Sequence, residues 1–218
     1  KSRILFPILG IVFTLTLILI INSCKKDESN NEVKSGCGGQ TSLTYHGLTY
    51  NTVEIGGQCW MAENLNYEKG NSWCYDNDTS NCANYGRLYD WSTALNACPP
   101  GWHLPSDDEW CVLTTFMDPS VDCDNVNWNG TDAGYKMKSK SGWFKDGNGS
   151  NIFGFTALPG GYRTSNGLFQ YAGKSAKFWA SDDYGQNAWS HALYFSHDKV
   201  GRGIAPQKDG YSVRCVKD

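Results

Sequence analysis

Apolar and polar positions change regime early in the chain. From Ile4 to Ile21 no residue carries a charge. The cations Lys1 and Arg3 precede this run, and Asn22-Ser23 lead from it to Cys24 and the polar tract Lys25-Lys26-Asp27-Glu28-Ser29-Asn30. A cationic start, an apolar stretch and a small residue at the break form a secretory signal. The rival is an uncleaved membrane anchor, because the 18 residues between Arg3 and Asn22 approach the length of a spanning helix. Pro7 and Gly10 weaken a permanent helix there. Either reading exports everything that follows. The Ser/Asn/Glu/Lys-rich stretch to Ser35 reads as a flexible tether, and residues 37–218 suit one domain with a sizeable core.

Within that domain the period alternates between strand and helix. Leu48, Tyr50 and Thr52 fall on one parity and Thr49, Val53 and Ile55 on the other. Gly56-Gly57 is a two-residue turn signal, and Gln58 to Ala62 returns as a second strand. Asn71 to Asn84 is polar, with two cysteines, and reads as a stapled loop. One helix is expected over Trp91–Ala97, stopping before Pro99-Pro100. Another begins at Ser106, where Glu109 three residues on completes a capping box. Trp110, Leu113, Phe116 and Met117 form its apolar stripe. Asp107, Asp108 and Glu109 suit its positive end, which explains them without a catalytic role.

After Asp118 the periodicity fades. Residues 125–151 are rich in Asn, Gly and Ser, with a helical turn expected near Asp132 to Lys138. Short strands then recur at Phe153–Leu158, Gly161–Arg163, Leu168–Tyr171, Lys177–Ser181, Trp189–Phe195 and Tyr211–Val216. Helices followed by clustered short strands indicate an α+β domain with a mostly antiparallel sheet.

Composition narrows the chemistry. The formal net charge is −3 with no Lys/Arg-rich run, so there is no electrostatic footprint for nucleic acid. Of 9 cysteines, Cys24 stands apart. The remaining even set in an exported chain reads as disulfides of open connectivity. No C-x-x-C pair exists, and the four histidines lack zinc-ligand spacing with the cysteines. No G-x-S-x-G occurs, and cysteines committed to bridges leave no thiol nucleophile. No catalytic residue is named, and no cofactor. Calcium is the most plausible ion, because Asp76, Asp78 and Ser80 alternate like the start of an EF-hand loop. Asn81 stands at the sixth position and Arg87 at the twelfth, so that motif fails. A solvated polar loop explains it. The ligand-binding residues expected are Trp128, Trp143 and Phe144 in the Asn/Gly-rich region, with Asp182, Asp183 and Asn187 between two strands. Exposed rings stack on apolar sugar faces while amides bond hydroxyls. The alternative is that these rings fill core beneath long loops.

Four resemblances add to this reading. The boundary at Cys24 resembles a bacterial lipoprotein signal, which implies cleavage before that cysteine, acylation of its thiol and a membrane anchor. The Lys25-Lys26-Asp27-Glu28 tract resembles the charged tract that directs some Bacteroidota lipoproteins to the outer face of the outer membrane. In order along the chain, Thr52-Val-Glu-Ile-Gly-Gly-Gln-Cys-Trp-Met-Ala-Glu-Asn-Leu65, Tyr85-Gly-Arg-Leu-Tyr-Asp-Trp91, Ala97-Cys-Pro-Pro-Gly-Trp-His-Leu-Pro-Ser106, Gly154-Phe-Thr-Ala-Leu-Pro-Gly-Gly-Tyr-Arg163 and Ser212-Val-Arg-Cys-Val216 resemble the Fibrobacter succinogenes major paralogous domain. That family occurs largely on exported lipoproteins. Trp102-His-Leu-Pro-Ser with Glu109-Trp110, and the terminal Val-Arg-Cys-Val, are also similar to formylglycine-generating-enzyme-like domains, which implies a C-type-lectin-like fold. By that analogy Cys98 and Cys215 form a helix-to-strand bridge. Cys74 and Cys82 then close the local loop, and proximity pairs Cys111 with Cys123 and Cys37 with Cys59. The lectin calcium triplets are absent, so calcium-dependent sugar binding does not come with the fold.

The expectation is a lipid-anchored, non-catalytic surface module that recognises a glycan or protein. The alternatives are an envelope hydrolase whose carboxylates are assembled by folding, and a structural surface component.

Overall fold

The computed structural model describes residues 36–218. The expected signal segment, Cys24 and the tether to Ser35 lie outside the described residues. The chain opens on β1 (Ser42–Tyr45), β2 (Leu48–Ile55) and β3 (Gln58–Met61). Gly56 and Gly57 turn β2 into β3 with φ of +62° and +78°, a mirror-image hairpin turn that residues with a Cβ rarely adopt. Next come β4 (Ser72–Trp73), α1 (Thr79–Tyr85), β5 (Leu88–Tyr89), α2 (Trp91–Ala94), β6 (Trp102–His103) and α3 (Asp107–Met117). Then β7 (Asn127–Asn129), α4 (Ala133–Met137), β8 (Tyr162–Arg163) and β9 (Phe169–Gln170) lead to the longest strands. These are β10 (Ser175–Tyr184), β11 (Asn187–Tyr194) and β12 (Val200–Pro206), and short strands β13 (Tyr211–Ser212) and β14 (Val216–Lys217) follow them.

The strands form two main sheets, ordered β1-β2-β3-β14-β6 and β4-β5-β13-β10-β11-β12-β7, with β8-β9 as a separate pair. Pairing is antiparallel throughout these sheets except between β10 and β13, which run parallel at Phe178 and Ser212. The C-terminal strand returns to the N-terminal sheet, Val216 standing opposite Trp60 on one side and His103 on the other. Disulfides join Cys37–Cys59, Cys74–Cys82, Cys98–Cys215 and Cys111–Cys123, the same pairs that the fold analogy and proximity imply. Cys98–Cys215 closes the longest loop, which in the chain-entropy account is worth about 4–5 kcal/mol.

Alternation along β10 and β11 separates two apolar clusters. Phe178 and Leu193 join Trp60, Trp110, Leu113 and Phe155 in one, while Trp179 and Ala188 join Tyr50, Met61, Tyr89 and Tyr211 in the other. Most of these rings exclude water fully, each contributing about 2–3 kcal/mol or more by burial. The helix α3 starts as its sequence dictates, with Ser106 and Glu109 capping reciprocally. Its buried face is Trp110, Leu113, Thr114 and Met117, whereas Phe116 is 53% exposed and rests edge-on against Phe153. The i, i+3, i+4, i+7 spacing from Trp110 selects Thr114, whose hydroxyl is satisfied by the Trp110 carbonyl.

Three expectations need correction. The stretch Phe153–Leu158 is not a strand, and only Ala157 makes an isolated bridge, to Lys138. The guanidinium of Arg214 takes the place of a ladder partner. It is fully buried, donates to the carbonyls of Met61, Phe155 and Thr156 and to Asn64 Oδ1, and burial pushes its pKa down to about 9. The expected stapled loop contains α1, whose first turn is capped when Asp78 accepts from Ser80 N–H. The strand β12 has two glycines within Val-Gly-Arg-Gly and shows no strand signal in sequence; the reason for Gly201 lies in the packing around it.

Candidate functional site

Period-2 alternation across four paired strands builds one row of side chains. Lys177 in β10 stands opposite Ala192 in β11, Ala192 opposite Gly201 in β12, and Gly201 opposite Trp128 in β7. Two small residues therefore lie between two large ones: the Trp128 ring folds over Gly201, which is buried, and Ala192 leaves the sheet surface open between that ring and Lys177. The next position along the same face pairs Ser175 with Tyr194. Together with Tyr162, Tyr171 and His197 these residues line a cleft of about 330 Å³.

The walls are rings in fixed orientations. Trp128 stacks on His197 with centroids 4.7 Å apart, and its ring covers Gly201. Tyr171 stacks on Tyr162 at 5.9 Å and meets Tyr194 edge-on at 6.1 Å. It is 46% exposed and has a φ of +63°, a conformation unusual for a bulky residue and one that stores strain. The turn carrying Tyr194 and His197 is held from beneath by Lys138. This buried ammonium donates to the His197 carbonyl at 2.9 Å and the Tyr194 carbonyl at 3.5 Å. Burial lowers its pKa, and Asp198 at 3.8 Å partly offsets that.

The polar member of the cleft is Lys177. Its Nζ lies 3.8 Å from the centre of the Tyr162 ring and donates to Tyr211 Oη at 3.2 Å. Tyr211 in turn donates to Asp209 Oδ2 at 3.4 Å, and burial raises the tyrosine pKa well above its ordinary value. Burial lowers the Lys177 pKa, with Asp209 opposing it from behind Tyr211. Among the described residues Lys177 forms no ion pair within 4.0 Å. A second hollow of about 350 Å³ adjoins the first, with Tyr75, Phe169, Gln170, Ala172 and Lys174 in its lining, and Tyr171 is common to both. Neither lining contains an Asp or Glu.

The residues chosen from sequence have different fates. Trp128 is half-buried and forms a wall of the cleft. Trp143 does not reach a surface. It is 4% exposed and its indole N–H is shared between Ser139 Oγ and the Ala157 carbonyl, so it is a core ring. Phe144 is exposed but outside the cleft, beside the second hollow, where Lys174 Nζ sits 4.8 Å over its ring. Asp182, Asp183 and Asn187 belong to the β10–β11 hairpin rather than to a loop, and they serve the fold. Asp182 accepts from the Asp107 N–H at the start of α3, and Gln207 donates to Asp183 Oδ1 and the Asn187 carbonyl. Tyr162, Tyr171, Lys177, Tyr194 and His197 carry no shared signal in the sequence, because their convergence depends on strand pairing and on the turns that follow β9 and β11. The only local trace is the small–large alternation of Ala192 and Tyr194 within β11.

The acidic start of α3 does more than complement the helix end. Asp107 is clasped by Arg202 Nε and Nη2 and by His191 Nε2. Burial alone would raise its pKa, but these hydrogen bonds and charges outweigh it and bring the carboxyl down to about 2. Glu109 and Asp218 bracket His103 at 2.8 and 2.6 Å. Burial lowers the His103 pKa, but the two carboxylates outweigh it and the net shift is upward.

Among the described residues no group of three or more His, Cys, Asp or Glu is placed to hold a metal ion, and no helix is long and apolar enough to cross a membrane. No curated protein and no solved structure matches this chain. The family model of the Fibrobacter succinogenes major domain matches residues 53–217. That span takes in both main sheets apart from β1 and the first residues of β2, together with the whole aromatic cleft, and on that match the chain belongs to the Fibrobacter succinogenes major domain family.

Proposed function

We propose that this chain is a non-catalytic recognition module on a lipid-anchored surface protein, and that it binds a glycan in the cleft between Trp128 and Tyr162. One observation carries this reading: Ala192 and Gly201 sit in register between Lys177 and Trp128. Gly201 lets the Trp128 ring lie flat against the sheet and Ala192 leaves the surface beside Lys177 open, a floor of ring and sheet that receives the apolar face of a sugar while tyrosine hydroxyls and the lysine at the edge meet its polar groups. Strain at Tyr171 favours a functional over a structural reason for that ring. The hydrolase alternative needs two convergent carboxylates, one on each side of the scissile bond, and neither hollow is lined by one.

The anchor rests on the signal and on Cys24 as read from the sequence. Four disulfides accord with an oxidising compartment outside the cytoplasm. A C-type-lectin-like architecture is the finer fold reading. It is supported by the return of β14 to β3 and by the long stretch from Asp118 to Lys174, built of loops and four elements of two to five residues, which carries Trp128, Tyr162 and Tyr171. The test is a glycan array probed with the full chain in detergent, beside a Trp128→Ala, Tyr194→Ala variant. Selective binding that the variant loses supports recognition, and a chain that binds no glycan on the array sinks it.

A further inference from the structure

We propose that the ligand of the aromatic cleft is an anionic oligosaccharide, with one acidic sugar placed against Lys177 and the chain continuing over Tyr171 towards Lys174. This inference rests on the recognition reading above and adds the charge and extent of the ligand.

Lys177 is the first reason. Its ammonium is set among rings, with Tyr162 beneath it and a single neutral hydroxyl, that of Tyr211, as hydrogen-bond partner. An ammonium has three donors, and the chain satisfies one of them with an oxygen. Burial already disfavours the charge, and a partly desolvated cation with no anion in contact attracts one from outside. A carboxylate or sulfate arriving over Ala192 and the Trp128 ring would meet Lys177 on its open side.

The second reason is the repetition of this pattern across Tyr171. The adjoining hollow has its own rings, Tyr75 and Phe169, at 5.4 Å. It also has its own lysine, Lys174, which rests over Phe144 and makes no hydrogen bond or ion pair through its side chain among the described residues. Each hollow thus offers ring faces and one ammonium, and no carboxylate lines either. A single sugar needs one such set. Two sets sharing the exposed ring of Tyr171 fit successive acidic sugars of one chain, with Tyr171 stacked at the junction. A charge-assisted hydrogen bond at each lysine fixes register, while the rings supply most of the contact area.

The experiment compares a short oligogalacturonate with its methyl ester, a sulfated oligosaccharide and a neutral cello-oligosaccharide, by calorimetry on the full chain in detergent. The acidic sugars should bind about 10- to 100-fold more tightly than the methyl ester and the neutral sugar, the range for one or more charged hydrogen bonds. Raising the salt should narrow the gap. Lys177→Met should erase the preference while Lys177→Arg retains part of it. If Lys177→Met does not fold, Lys174→Met should still weaken a longer acidic oligomer more than a single galacturonate. Carboxylated and sulfated probes binding alike, or one alone, both support the proposal and identify the acid. Equal binding of the ester and the acid overturns it while leaving glycan recognition standing. Inorganic polyphosphate binding as tightly as the acidic sugars also overturns it, as non-specific attraction. Absence of binding by every oligosaccharide overturns this inference and the recognition reading together.

Discussion

Trp128 lies flat over Gly201: a Cβ built on that glycine would stand 3.1 Å from the nearest indole carbon. The backbone of Gly201 is ordinary β12 strand paired on both sides, so its lack of a side chain serves the ring and not a turn. Gly201→Val should fold, with a loss of about 1 kcal/mol, because overpacking is relieved by moving a half-exposed ring. It should abolish ligand binding by displacing Trp128 into the cleft. Melting temperature and binding measured on the same sample check both parts. A valine variant that binds as the parent does removes Trp128 from the site.

Trp143 and Trp128, alike in sequence, should part on mutation. Trp143→Ala deletes a core ring together with its two hydrogen bonds and should cost about 3–5 kcal/mol. Trp128→Ala should cost less stability and most of the binding. Urea titrations of the two variants separate them, and equal destabilisation would place both rings in the core.

Tyr171 holds a left-handed backbone that asparagine adopts more readily. Tyr171→Asn should leave the melting temperature unchanged or raise it slightly, because strain of about 1 kcal/mol is relieved as a mostly exposed ring is lost. Binding should fall. A variant that loses stability and keeps its affinity would show the ring to be structural.

Asp107 makes stability depend on acidity. Its folded pKa of about 2 lies below its ordinary 3.8, so the folded state favours the ionised form. The resulting contribution, about 2 kcal/mol, is fully present above the unfolded pKa and is lost as the pH falls through the folded value. Asp107→Asn should destabilise the protein at neutral pH by about 3 kcal/mol, because Arg202 and His191 lose their anion. It should also flatten the decline between about pH 4 and 2. Part of that decline should remain through Asp118. Its hydrogen bonds from Ser120, Thr131 and Asp132 likewise depress its pKa, against the opposing effect of burial. Urea unfolding across this pH range decides, and an unchanged slope rules out the Asp107 contribution.

Local rules accounted for what local chemistry governs. The capping box at Ser106, the Gly56-Gly57 hairpin and the helical turn after Asp132 all depend on residues within a few positions of each other. The disulfide pairs followed from proximity and from fold analogy. Phe116 and Thr114 show the limit: hydrophobicity places Phe116 in the stripe, yet the face that is covered holds the polar Thr114 and leaves Phe116 exposed. The Phe153–Leu158 segment shows another. Its apolar alternation reads as a strand, yet Arg214, more than fifty residues away, satisfies its carbonyls.

The sequence by itself determined the class of the domain, its cysteine framework and its principal helix, because these rest on short-range periodicity, caps and an even set of thiols. The tertiary structure alone decided which aromatics meet solvent and which meet each other. Trp128, Lys177 and Tyr194 come together through strand registers spanning tens of residues, and Tyr171, after β9, packs against Tyr194. In those registers a one-residue slip would turn every side chain to the opposite face.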